Sequence, residues 1–234
     1  MGQARGYLQL DGADLKRVTV FAGHYGSGKT NIAVNYALKL KQNDKDVVIA
    51  DLDIVNPYFR TKDAKDVLEE NNIRLISSPY ANTNVDTPAL PAEAYSVIHN
   101  REVNAIIDVG GDDRGALALG RFTDALVSED NFEMLFVINK FRYLTRDAQG
   151  TLEVMREIED ACKIKFTGIV NNSNIGDETT EDIVLDSVSY ASEISKLTGL
   201  PVCFTAVKED LAQNLKDKIE NVMPIKLYVK QFLH

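Results

Sequence analysis

The stretch GHYGSGKT, Gly23 to Thr30, follows the apolar run RVTVFAG (17–23) and leads into TNIAVNYALKLKQ (30–42). Its spacing is G-x-x-x-x-G-K-[ST]. It stands between a β-rich run and a segment whose apolar residues recur every three to four positions, the context in which such a loop closes around phosphate. The glycines at 23, 26 and 28 allow close backbone approaches that a Cβ would block. Amide groups then point inward at the anion, helped by the N-terminus of the following helix. Lys29 is expected to bridge the β- and γ-phosphates and Thr30 to hold Mg²⁺. Gly23, Tyr25, Gly26, Ser27, Gly28, Lys29, Thr30 and Asn31 are the expected nucleotide-contacting set.

The alternation continues along the chain. DVVIAD (46–51), IRLIS (73–77), NAIIDV (104–109), EMLFVIN (133–139), FTGIVN (166–171) and PVCFT (201–205) read as further strands. Between them lie segments with helical spacing, RTKDAKDVLEENN, PAEAYSVIHNR, ALALGRFTDALVS, TRDAQGTLEVMREIEDA and TEDIVLDSVSYASEISKLTG. The near-continuous apolar strands predict an α/β fold. It is a doubly wound, mostly parallel sheet of about seven strands with helices on both faces. No linker, repeat or low-complexity tract interrupts it, so residues 1–234 read as one domain, with a core over about 17–215 and a C-terminal helix over about 222–234. In such sheets ligands bind beyond the carboxyl ends of the strands.

Composition narrows the function classes. With 26 basic and 35 acidic residues the net charge is -9, which argues against a protein that coats nucleic acid. No apolar run reaches the roughly 18 residues of a membrane span. The N-terminal stretch has no apolar segment of signal-peptide length, so the expectation is a cytoplasmic protein. Cys162 and Cys203 are far apart and form no C-x-x-C pair, which leaves free core thiols as the reading. His99 and His234 have no partners at metal-ligand spacing.

Three aspartates fall just after strands. Asp51 and Asp53, in ADLDIVNPYFR, follow the apolar VVIA, and Asp53 is the favoured water-positioning residue. Asp108, in AIIDVGGDDRG, has the pattern of an aspartate that reaches Mg²⁺ through water. Gly110 and Gly111 let the backbone pass close to a γ-phosphate, in a loop suited to change shape when that phosphate leaves. Asp112, Asp113 and Arg114 suit either that switch or a solvated surface. Pro91, in DTPALPAEAYSVI (86–98), suits the first turn of a helix.

In this order the landmarks resemble the MinD/ParA branch of the P-loop NTPases, within the SIMIBI class and the CobQ/CobB/MinD/ParA nucleotide-binding family. GHYGSGKT is followed by DLDIVNPYFR, similar to the family's first switch, and IIDVGG, similar to its second. NKFRYLTRDAQG is similar to its N-P-E-x-x-S-x-R-D-A segment, FTGIVNNSN to the strand ending in a base-reading asparagine, and LPVCFTAVKEDLAQNL to the segment beside the base. The resemblance covers about residues 17–215. It implies Mg-ATP at the loop, subunits brought face to face by ATP and released by hydrolysis, and a protein partner. It also implies metal contacts from Thr30, Asp53 and Asp108, water orientation by Asp53, and base contact by Asn172 or Asn171. Independently, NKFR resembles the guanine-reading N-K-x-D, but Arg142 stands where the aspartate belongs. A cation cannot accept hydrogen bonds from guanine, which favours ATP.

The family's loop usually reads G-K-G-G-x-G-K-T, and its first lysine reaches the partner subunit's phosphates. Here that position is His24, followed by Tyr25. Three readings stand open. His24 acts in trans as a weaker, pH-sensitive catalytic cation; it and Tyr25 line the loop or meet a partner protein; or the ATP-sandwiched dimer is not used. The expectation overall is a switch ATPase that dimerises with nucleotide. The rivals are a small-molecule synthetase or amidotransferase-like enzyme on the same scaffold, and a GTPase metallochaperone. The C-terminal PIKLYVKQFLH has two lysines and no clean apolar stripe, so it reads as a terminal helix packed on the domain rather than a membrane anchor.

Overall fold

The structure is a computed structural model that describes residues 5–10, 15–43, 45–52, 62–77, 92–111 and 113–228. Among these, eight strands form one sheet: β1 (Val18–Ala22), β2 (Val47–Asp51), β3 (Arg74–Ser77), β4 (Asn104–Asp108), β5 (Phe132–Ile138), β6 (Gly168–Asn171), β7 (Val202–Lys208) and β8 (Val222–Ile225). Their order is β3-β2-β4-β1-β5-β6-β7-β8, and every pairing is parallel. The helices are α1 (Lys29–Lys41), α2 (Lys62–Glu70), α3 (Ala92–His99), α4 (Asp113–Gly120), α5 (Thr123–Glu129), α6 (Ala148–Cys162), α7 (Glu181–Thr198) and α8 (Glu209–Leu215).

The strands read as unbroken apolar runs because both faces are covered. Side chains alternate across a strand. Val18, Val20 and Ala22 of β1 join one core with Leu119, Phe122, Leu126, Val154 and Ile194, from α4 to α7. Phe21 joins the other with Ile32, Tyr36 and Leu40 of α1 and Leu68 of α2. Helix ends follow local chemistry. The Asp147 side chain accepts from Gly150 N at 2.9 Å to start α6, and Gly199 closes α7 in the left-handed region.

The sheet has eight strands where about seven were expected. The added one, Val222–Ile225, stands at the start of the expected C-terminal helix. Residues 222–225 instead pair with β7, and an edge strand tolerates Pro224. Val222 donates to Gly6 O at 2.8 Å, away from β7. The Pro224 nitrogen shares that parity, so no bond to β7 is lost. Residues 5–10 therefore belong to the packed unit, outside the expected core bounds, with Leu8 and Leu10 buried. Residues 229–234 lie outside the described residues.

Two expected helices differ in detail. ALALGRFTDALVS divides into α4 and α5, because Phe122 turns into the core at 1% exposure and Thr123 Oγ1 donates to Cys162 O at 2.7 Å. Helix α1 is buried nearly all round rather than on one face. The chain at 226–228 passes over it: Lys226 N and Tyr228 N donate to Asn35 Oδ1 at 2.9 Å and Asn31 Oδ1 at 3.0 Å. No helix among the described residues is long and apolar enough to cross a membrane.

Candidate functional site: a phosphate loop at the carboxyl edge of the sheet

The loop runs from the end of β1 to the start of α1. Ser27 N donates to His24 O at 3.1 Å, and Lys29 Nζ reaches the same carbonyl at 3.1 Å. Gly28 adopts φ 89°, in the left-handed region, and a Cβ there would collide with the Asn172 amide. From β4, Gly111 passes across the loop. A Cβ on it would lie 2.6 Å from Tyr25 N and 2.8 Å from Lys29 Nζ. The second glycine-rich segment therefore lies against the phosphate loop.

Acidic groups gather beside it. Asp51 and Asp108 are register partners on adjacent strands, and both are buried. Alternation puts them on the same face as Ile49 and Ile106, the face that α1 covers, with Thr30 in the first turn of that helix. Asp53 lies outside the described residues, as do Asp86, Pro91 and Asp112. The described residue that stands in register with Asp108 is thus Asp51, the aspartate the sequence reading ranked second.

A nucleotide phosphate with Mg²⁺ fits these residues. Ser27 Oγ is buried without a hydrogen-bond partner among the described residues, as is His24 Nδ1. A phosphate oxygen would complete the Ser27 hydroxyl. Thr30, Asp51 and Asp108 offer hard oxygen donors of the kind magnesium takes alongside phosphates and water. Among the described residues no group of three or more His, Cys, Asp or Glu side chains forms a metal cage by itself. Cys162 and Cys203 are free thiols, and burial pushes Cys203 up to about 12.

The two loop residues that depart from the family pattern behave differently. Tyr25 is exposed at 55%. His24 is half-buried, and burial holds its pKa below the ordinary histidine value, with the Tyr25 backbone acting against the shift and the Lys29 and Arg142 charges adding to it. Burial and these neighbouring charges both disfavour the protonated form of His24 before phosphate arrives.

The candidate base readers have other engagements. Asn171 is fully buried, its amide donating to Ser187 Oγ at 2.9 Å and its oxygen accepting from Ser173 N at 3.2 Å. Asn172 donates to Ser27 O at 2.7 Å, which braces the phosphate loop from below. Asn31, expected in the nucleotide set, accepts a hydrogen bond from Tyr228 N at its side-chain oxygen at 3.0 Å. Arg142, considered in the sequence only as the cation that spoils N-K-x-D, donates from Nε to Gly26 O at 2.8 Å. Lys140 of the same segment pairs with Asp186 at 2.5 Å. Their partners lie far along the chain, and no local pattern pointed to them.

A parallel sheet with this loop after β1 and aspartates ending β2 and β4 defines a P-loop NTPase of the SIMIBI class. The family described as the CobQ/CobB/MinD/ParA nucleotide binding domain matches residues 18–229, and the chain belongs to it. No curated protein matches the chain. Among solved structures, cell division protein FtsY from Thermotoga maritima is similar with a TM-score of 0.57 and 20% identity over 86% of this chain and 67% of that one. Chloroplast FtsY from Physcomitrella patens gives 0.57 and 20% over 92% and 64%. The signal recognition particle 54 kDa protein from Aeropyrum pernix, solved with GDP, gives 0.54 and 18% over 84% and 42%. At these identities the likeness is one of fold, and the chain spans about two thirds or less of the length of each.

Proposed function

We propose that the protein is a cytoplasmic Mg-ATP switch ATPase of the MinD/ParA kind, in which ATP binding and slow hydrolysis govern dimerisation and the capture of a protein partner. Bound Mg-ATP supplies the phosphoanhydride whose hydrolysis resets the switch. The chain's own residues do the rest. Amides of residues 23–30 cradle the phosphates and Lys29 offsets their charge. Thr30 holds the metal, Asp108 supports it, and Asp53 orients the attacking water.

The observation that carries this reading is the contact of the Gly110–Gly111 segment with the phosphate loop at Tyr25 and Lys29. A γ-phosphate entering there must displace or reorder that segment, and its loss lets the segment return. The preference for ATP over GTP rests on the sequence, where Arg142 stands at the position of the acceptor aspartate in N-K-x-D.

The test is the mass of the protein in solution with ATP, with ADP and without nucleotide, using Asp53→Ala to slow hydrolysis. A dimer formed only with ATP is expected. A mass independent of nucleotide, with ATP turnover stimulated by a small carboxylic acid, would favour a synthetase on the same scaffold instead.

A further inference from the structure

Position 24 lacks the lysine that the family's loop carries, yet a triphosphate in this loop would still bring several negative charges. A cation from elsewhere in the chain stands against the loop. Arg142 leaves β5 on a short, tied turn. Arg142 N donates to Asn139 O at 3.1 Å, Thr145 N donates to Arg142 O at 3.0 Å, and Thr145 Oγ1 returns to Asn139 O at 2.7 Å. Tyr190 OH holds Thr145 O at 2.5 Å, and Asn139 Nδ2 holds Asn174 O at 3.2 Å. The backbone under Arg142 is thus fastened to α7 and to the loop after β6.

From that mount the side chain crosses to the phosphate loop and donates from Nε to Gly26 O at 2.8 Å. The guanidinium packs closely against Gly26. A Cβ on Gly26 would sit 3.3 Å from Nε and 3.4 Å from Cζ. Gly26 also has φ 77°, so the glycine serves both the turn and the close approach. The next carbonyl, Ser27 O, takes the Asn172 amide. Two consecutive carbonyls of the loop are tied to the scaffold in this way. The guanidinium lies well inside a Debye length of any anion held by the loop, in a half-buried place where screening is weak.

We infer that Arg142 is a phosphate-loop residue of this chain: it braces the Gly26 carbonyl and supplies in cis the fixed positive charge that position 24 does not carry. The inference rests on the nucleotide reading of the loop.

The test is calorimetric titration of wild type, Arg142→Lys and Arg142→Gln with Mg-ATP, Mg-ADP and adenosine at two salt concentrations, with melting curves to establish folding. Wild type should bind both nucleotides. Arg142→Gln should weaken ATP and ADP by about tenfold to a hundredfold and flatten the salt dependence, leaving adenosine unchanged. Arg142→Lys should keep most of the salt dependence while losing part of the affinity. If folded Arg142→Gln binds ATP within about twofold of wild type with the same salt slope, or loses adenosine equally, the assignment is wrong. A wild-type protein that binds neither nucleotide would instead remove the nucleotide reading on which it rests.

Discussion

Asn172→Ala separates two roles for one side chain. By resemblance an asparagine at the end of β6 contacts the base. In the fold its amide donates to Ser27 O at 2.7 Å, and its oxygen accepts from Asn174 Nδ2 at 3.3 Å, in a site only 2% exposed. Truncation removes the donor and leaves a phosphate-loop carbonyl without it, a change that costs about 1–3 kcal/mol. For a domain of this size each kcal/mol moves the melting temperature by about 2–4 °C, so a fall of about 2–12 °C is expected. If part of that cost is met again when the loop must close on phosphate, nucleotide affinity falls by at most about 150-fold. Because the loop is common to all nucleotides, ATP and GTP should weaken by the same factor. Thermal melting and titration with both nucleotides measure the two quantities. An unchanged melting temperature together with a tenfold shift in the ATP-to-GTP ratio would refute the brace and restore base reading.

Two further outcomes follow from buried charge. Arg17 is itself 9% exposed; it pairs with Glu129 at 2.7 Å and donates to Asn100 O and Val103 O just past the end of α3, at 2.9 and 3.2 Å. Arg17→Ala leaves those carbonyls without their donor and the carboxylate with only Arg101 at 3.8 Å, and should cost about 3–5 kcal/mol in denaturant unfolding, whereas an effect below about 1 kcal/mol would mean water replaces the guanidinium. His24 has its folded pKa depressed, first by burial and also by Lys29 and Arg142. The unfolded chain takes up a proton near the ordinary value of about 6.5 that the folded chain resists. Stability is therefore full above about pH 6.5 and declines as pH falls through that value. Wild type should lose melting temperature relative to His24→Gln between about pH 7.5 and about pH 5.5, and parallel curves would contradict the assignment.

How far the sequence reached is clearest at particular residues. The strand before Gly23 and the helix after Lys29 were readable because each is set by short-range spacing, and the phosphate-loop motif binds them into one unit. The parallel sheet followed from apolar runs too continuous for a one-sided sheet. Asp108 was readable because it ends such a run. The eighth strand was missed because Val-Met-Pro-Ile carries a proline and no alternation, and only its place at the sheet's edge makes it a strand.

The sequence by itself determined the βα units, the loop and its acidic neighbours, since a hydrogen-bonded turn or an apolar face needs only residues a few positions apart. The tertiary structure alone decided which polar side chains serve the loop. Arg142 meets Gly26 across 116 positions and Asn172 meets Ser27 across 145. Such pairs exist only once β5 pairs with β1, and β6 with β5, in one sheet. Side chains with the same donors, Asn171 and Asn31, are turned by the same topology toward α7 and the chain at 228. An amide reads the same anywhere in a sequence, and its role is set by the carbonyl or hydroxyl that folding places within about 3 Å of it.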